Sequence, residues 1–229
     1  MSGRQGQISV AAYDSTTGTT FVSNRGLRAY TASILKVSLL VEALRARADG
    51  RAGVAAAITA HAPSMIEYSD NDATTRLWQA TGAAAGLTEF FKTAGLDQTR
   101  SAPVLLEPWD GVTTTATDQL SLLRALASHS QLLSRADVAY ALGLMQHVSA
   151  DQRWGVGLAA RNPDTALVAV KDGWVPVPGD GWTVNSIGVV WRRGGGYYCL
   201  AVLSTGQPSM AYGIVSDESA VAAVDSVLP

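Results

Sequence analysis

A serine and a lysine three residues apart, Ser33 and Lys36, stand at the head of a run in which nearly every other position is apolar: Ile34, Leu35, Val37, Leu39, Leu40, Val41, Ala43 and Leu44. A helix with so little polar face is expected to pass through the core. Burial disfavours the ammonium form of a lysine and lowers its pKa, which makes the amine a usable general base near neutral pH. At this spacing the amine lies on the side of the helix that carries Ser33 and can reach its hydroxyl. Ser33 is also expected at the helix N-terminus, where free NH groups and the positive dipole end favour a developing oxyanion. Acyl transfer through a serine nucleophile is the chemistry such a pair could do. The same residues also read as an early helix cap with a lysine snorkelling to solvent, and the pair alone does not decide.

The elements that must hold this pair can be read along the chain. Residues 8–13 and 19–24 alternate as strands about the turn Asp14-Ser15-Thr16-Thr17-Gly18 and form a hairpin. After the Ser33 helix, which stops near Asp49-Gly50, the chain is helical in tendency through residue 60, with a break expected at Pro63. Ser69-Asp70-Asn71-Asp72 then reads as a turn or helix start, followed by helices over residues 73–80, 87–93, 116–128 and 134–147. Residues 101–115 hold two prolines, a glycine, Glu107, Trp109 and Asp110 without periodicity and are expected to form a loop. From residue 166 the pattern turns to strands, at 167–170, 182–191 and 198–204, the last two joined by the turn Arg193-Gly194-Gly195-Gly196, and a helix over 218–228 closes the chain. The expectation is an α+β fold in one domain, 1–229. An antiparallel sheet from N- and C-terminal strands is flanked by helices, with an α/β lobe at about 1–48 and 150–229 and an all-helical lobe at about 49–149. A groove is expected where the lobes meet.

Composition narrows the function classes. The 229 residues are 47% apolar and 16% charged, which argues for an ordered globular protein with a substantial core. A net charge of -2 gives no support to a nucleic-acid or anionic-membrane partner. Cys199, the one cysteine, lies in an apolar run and is expected as a buried thiol, so no internal disulfide can form. No apolar run approaches the ~20 residues that span a bilayer, and the first residues show no signal-peptide core. The expectation is a cytoplasmic protein, or an exported one (periplasmic or extracellular) whose signal has been removed. His61, His129 and His147 have no ligand spacing around them and are read as surface or packing residues, with no metal and no cofactor implied.

Three short motifs occur in order: Ser33-Ile34-Leu35-Lys36, Ser69-Asp70-Asn71 and Lys171-Asp172-Gly173, the last on a strand. Their contexts agree as well, with Thr113-Thr114-Thr115-Ala116-Thr117-Asp118 opening a helix, Trp154-Gly155-Val156-Gly157 before the Lys171 strand and Gly188-Val189-Val190-Trp191 on the next. The chain resembles the serine β-lactamase and penicillin-binding-protein (D,D-peptidase) superfamily, over essentially all its length. The resemblance implies that Ser33 is the nucleophile of an acyl-enzyme and that Lys36 takes its proton. Ser69 would relay a proton to the leaving atom, with Lys171 polarising it. Asn71 would hold Lys36 and a substrate amide, and the NH groups of Ser33 and of Trp174, just past Gly173, would form the oxyanion hole.

Two departures from the family pattern matter. Glu107-Pro108-Trp109-Asp110-Gly111 falls where the family carries a glutamate followed shortly by Leu-Asn, but that dipeptide is missing, so Glu107 stands between a deacylating carboxylate and a solvated loop residue. Efficient deacylation of a β-lactam is then not expected. Asp172 replaces the family's hydroxyl; if both Lys171 and Asp172 reach the groove mouth, its carboxylate would repel a substrate anion, and Trp174 could line the groove. The leading expectation is a serine hydrolase acting on an amide or ester, with a small molecule or peptide as its partner. A D,D-carboxypeptidase or transpeptidase acting on cell-wall peptides and a non-catalytic binding protein that keeps the fold are the alternatives. Oligomeric state is not written in the sequence.

Overall fold

A computed structural model describes residues 4–128 and 132–227. Five antiparallel strands form the main sheet in the order β2-β1-β8-β7-β6, with β1 at Gln7–Asp14, β2 at Thr20–Ser23, β6 at Thr165–Val177, β7 at Gly181–Arg192 and β8 at Tyr197–Gln207. The sheet thus joins the two ends of the chain, because β1 pairs with β8 along its whole length, from Gln7 opposite Thr205 to Asp14 opposite Tyr198. A second, small sheet of β3 (Ala29–Tyr30), β5 (Val112–Thr114) and β4 (Arg100–Ser101) stands beside the turn that carries Ser33.

The helices are α1 (Leu35–Ala48), α2 (Val54–Glu67), α3 (Asn71–Ala80), α4 (Ala83–Thr93), α5 (Ala116–Ala127), α6 (Arg135–Gln146) and α7 (Met210–Asp225). α5 packs against β8 and β1, while α7 and a 3₁₀ segment at Gly155–Arg161 pack against β7 and β8. As its sequence requires, α1 is buried on all sides, with Leu35, Val37, Leu39, Leu40, Val41, Ala43 and Leu44 all shielded from solvent. Burying side chains of this size contributes roughly 1.5–3 kcal/mol each relative to exposure.

The boundary expected at Pro63 is not there. α2 runs through it to Glu67. Proline forfeits the bond to the carbonyl four residues back, but Thr59 is exposed, so water can satisfy that carbonyl, while Ala62, Met65 and Ile66 on the other face are buried and hold the helix in place. The closing helix also starts earlier than its pattern indicated, at Met210, because the Ser209 hydroxyl accepts the NH of Tyr212 and caps it. The lysine strand continues to Val177, so β6 and β7 form a long hairpin that the alternation of 167–170 revealed only in part.

Among the described residues no helix is long and apolar enough to cross a membrane, and no group of three or more histidine, cysteine or acidic side chains is placed to hold a metal ion. The Cys199 thiol is buried, which pushes its pKa up to about 12. His61 is half-buried and His147 Nδ1 bonds the Gly143 carbonyl at 2.7 Å; His129 lies outside the described residues.

Candidate active site

Ser33 sits in a single 3₁₀ turn, Ala32–Ile34, that leads directly into α1. The turn is fastened from two sides. Asn185 on β7 donates its amide to the carbonyls of Tyr30 (2.8 Å) and Thr31 (3.1 Å), and both the NH and the hydroxyl of Thr31 bond the carbonyl of Val112. Between these anchors Ala32 takes a φ of 45°, a left-handed conformation that costs a non-glycine residue about 1 kcal/mol or more. Ser69, between α2 and α3, is also left-handed, at φ 57°. Asp70 follows it as the α3 N-cap, accepting the NH of Ala73. Strain at two neighbouring site positions is the pattern expected where surrounding structure over-determines functional groups.

Lys36 is fully buried, and its amine donates to the Ser69 carbonyl (2.6 Å), the Ser69 hydroxyl (3.0 Å) and the Asn71 side-chain oxygen (2.8 Å). Burial, reinforced by the nearby positive charge of Lys171, lowers its pKa to about 6. The ring of Trp109 lies 4.9 Å from the same amine. The direct reach from Lys36 to Ser33 that the three-residue spacing allows is not made here: among the described residues Ser33 Oγ has no hydrogen bond, and Lys36 is spent on Ser69 and Asn71.

Lys171 comes from β6, across the groove. It too is fully buried, donating to Ser69 Oγ at 3.1 Å and to the Asp172 carbonyl at 3.1 Å, and burial lowers its pKa to about 8. Gly173, two residues on, is pressed against the Ser33 turn: a methyl group there would stand 2.7 Å from the Ser33 nitrogen and 2.8 Å from that of Ile34. Only glycine lets the strand edge approach so closely.

Glu107 joins the cluster through Asn71, whose amide donates to its carboxylate at 3.0 Å. The loop is held from below by Asp110, a buried carboxylate that accepts the NH groups of Leu105, Leu106 and Glu107 at 2.8–2.9 Å. Sequence reading missed both Asp110 and Trp109 as parts of the site; an aspartate in a turn-rich segment is a signal for such a nest, but nothing local shows that the neighbouring indole meets Lys36.

Asp172 is the correction. The expectation that its carboxylate faces the groove and opposes a substrate anion does not hold, because strict alternation along β6 sends it to the face opposite Lys171. It is fully buried there, and its Oδ1 accepts the Ser186 hydroxyl at 2.6 Å. Burial pushes its pKa up. Trp174 follows the same alternation: its ring packs on Trp154, 6.1 Å between centroids, rather than lining the groove on the Lys171 side. Only its backbone remains a candidate for contact with substrate.

A family model described as the beta-lactamase enzyme family matches residues 51–227. The chain belongs to the beta-lactamase enzyme family. The matched part takes in Ser69, Asn71, Glu107 and Lys171 and begins after Ser33 and Lys36. Over 192 residues the chain is 31% identical to the protein named "Putative lipoprotein LppW" in Mycobacterium tuberculosis and Mycobacterium bovis, covering 80% of this chain and 59% of theirs. It therefore spans about three fifths of the length of these relatives. Among solved structures, TLA-3 extended-spectrum beta-lactamase superimposes with a TM-score of 0.83 at 15% identity, over 99% of this chain and 94% of that one. The penicillin-G acyl-enzyme complex of a PBP-A mutant gives 0.78 at 19% identity, over 98% and 92%. At these identities the likeness establishes the beta-lactamase fold.

Proposed function

We propose that this chain is a serine hydrolase that cleaves an amide or ester through an acyl-enzyme on Ser33. The observation that carries this reading is the convergence of two buried amines, Lys36 and Lys171, on the single hydroxyl of Ser69. Two desolvated lysines side by side cost a fold stability, which marks them as candidates for chemistry, and their lowered pKa values supply a neutral base and a cation in the same pH range.

The steps follow from that division. With Lys36 neutral, its two N–H bonds stay on the Ser69 carbonyl and Asn71, and its lone pair, turned from Ser69 Oγ toward Ser33, draws the Ser33 proton as Ser33 Oγ attacks the carbonyl carbon and the carbonyl π pair moves onto oxygen. The oxyanion is received by the NH groups of Ser33 and Trp174, brought into one locality by the close approach of Gly173 to the nucleophile turn. Ser69, polarised by Lys171, passes a proton to the leaving nitrogen or oxygen as its bond to the carbonyl carbon breaks, and Lys36 replaces that proton. Glu107, which accepts from the Asn71 amide, takes a proton from the water that then cleaves the ester, and the missing Leu-Asn of the loop leaves a penicillin adduct slow to hydrolyse. The fold's tie to PBP-A supports acylation by a penicillin, since that protein forms a penicillin-G acyl-enzyme.

Intact-mass spectrometry tests the reading. Wild type incubated with a fluorophosphonate, and separately with penicillin G, gains one adduct on Ser33, while Ser33→Ala gains none and Lys36→Ala gains none on the same timescale. Labelling of Ser33→Ala at the wild-type rate would overturn it.

A further inference from the structure

Asp172 stands where the family motif places a hydroxyl, yet it touches nothing in the groove. Its side chain accepts the Ser186 hydroxyl at 2.6 Å, and Ser186 Oγ in turn accepts the NH of Val156 at 2.8 Å. Val156 belongs to the 3₁₀ segment 155–161, which is pressed onto Ser186: Gly155, at φ 53°, has room for no side chain, since a methyl would stand 2.3 Å from both Cβ and Oγ of that serine. On the other side of the strand, the backbone oxygen of this same Asp172 accepts from the Lys171 amine at 3.1 Å, and that amine reaches Ser69 Oγ at 3.1 Å. One residue thus ties the outer 3₁₀ segment, through its carboxyl, to the catalytic edge, through its carbonyl.

We propose that Asp172 is a positioning residue: its carboxyl, acting as the acceptor for Ser186, fixes the β6 edge so that its backbone oxygen holds the Lys171 amine over Ser69. β6 is an edge strand with β7 on one side only, so its position at residues 171–173 depends on what holds the face away from the groove. The charged and titratable groups around the carboxyl are Arg153 ahead of the 3₁₀ segment and Asp217 from α7, with Lys171 next along the strand on the opposite face. Asp217 is itself fully buried, and burial raises its pKa as it does that of Asp172. Two carboxyls buried so close to one another favour the neutral acid, so the acceptor oxygen, and not a charge, is what Asp172 contributes.

The inference rests on the proposed serine mechanism for its kinetic readout, and a second readout is independent of turnover. The chain has three lysines, Lys36, Lys92 and Lys171. Lysine labelled with ¹³C at the ε carbon therefore gives three signals, with exposed Lys92 as an internal reference. Asp172→Ala and Ser186→Ala, which break the same hydrogen bond from its two ends, are expected to move the Lys171 signal and its titration midpoint and to leave Lys92 unchanged. In p-nitrophenyl acetate hydrolysis both are expected to lower kcat roughly tenfold, the scale of one buried hydrogen bond, with KM within about twofold of wild type. Asp172→Asn keeps the acceptor oxygen and is expected to restore the Lys171 signal and to bring kcat back to within about threefold. Should Asp172→Ala fail to fold, Ser186→Ala carries both readouts. An unmoved Lys171 titration in Ser186→Ala, or an Asp172→Asn as displaced as Asp172→Ala, overturns the proposal. A wild type that neither labels nor hydrolyses defeats the serine mechanism instead, and the lysine titration still decides this one.

Discussion

Lys36 and Lys171, on different elements and 135 residues apart in the chain, donate to the same oxygen atom, Ser69 Oγ, from 3.0 and 3.1 Å. The positive charge of Lys171 is one cause of the lowered Lys36 pKa, second to burial. The hydroxyl between them is therefore flanked at neutral pH by one neutral amine and one ammonium, an asymmetry that gives a proton relay its direction.

This asymmetry sets a pH profile. On the proposed mechanism Lys36 must be neutral to accept the Ser33 proton, so acylation is expected to rise as pH passes about 6, and Lys171 must be charged to polarise Ser69, so the rate is expected to fall above about 8. Second-order rate constants for penicillin G acylation, measured from pH 5 to 10, are expected to trace a bell between these limbs. A rate independent of pH across that range would remove Lys36 as the base.

Gly173→Ala tests the close approach of strand and nucleophile turn. Its methyl would stand 2.7 Å from the Ser33 nitrogen and 2.8 Å from that of Ile34, both backbone atoms that cannot swing aside. The turn or the strand must shift by several tenths of an ångström, and fluorophosphonate labelling is expected to slow by about 100-fold, the scale for misplacing a reacting group. A folded Gly173→Ala that labels at the wild-type rate would show that the edge of β6 has no part in placing Ser33.

Asp110 supports Glu107 without touching the reaction. Removing its carboxylate in Asp110→Ala orphans three NH groups of the 105–107 segment, which is expected to cost about 1–3 kcal/mol in urea denaturation. Glu107→Gln should keep the fold and the acylation rate but prolong the penicillin adduct, as seen by mass spectrometry over time. Equal adduct lifetimes in wild type and Glu107→Gln would leave the carboxylate as a loop anchor only.

Glu42 offers a stability test away from the groove. It lies on α1, 5% exposed, with Oε2 unpartnered, and burial raises its pKa to about 7, against 4.5 for the ordinary carboxyl. A folded-state pKa above the unfolded one means stability that is full below pH 4.5 and is lost as pH rises through 7. Glu42→Gln is thus expected to be more stable than wild type at pH 8 by up to about 3 kcal/mol, with little gain at pH 4.5, by urea denaturation at each pH. An equal gain at both values would assign the effect to packing.

The order and spacing of the serine and lysine motifs were legible because each rests on a local requirement: an apolar helix around Lys36, turn residues at 69–72, a strand before Gly173. What escaped the sequence was non-local. That Ser69 and Ala32 are left-handed follows from anchors far away in the chain, the Asn185 amide and the Val112 carbonyl among them, and no residue type announces it. Asp172 is the instructive case. The two-residue period of a strand already implied that it faces away from Lys171, and the family pattern, which suggested the groove, misled where that elementary geometry did not. Pro63 misled for the opposite reason, since a residue rule gave way to packing on the buried side of α2.

The burial of two of the chain's three lysines has a practical consequence. Lys92, on α4, keeps 72% of its side chain in solvent, while the amines of Lys36 and Lys171 are sealed in the core. An amine-selective reagent therefore finds one side chain it can reach, well away in sequence from Ser33, Ser69 and Lys171. A fluorophore, a surface linker or a cross-linker attached through a lysine would fall on Lys92 and leave Lys36 and Lys171 untouched.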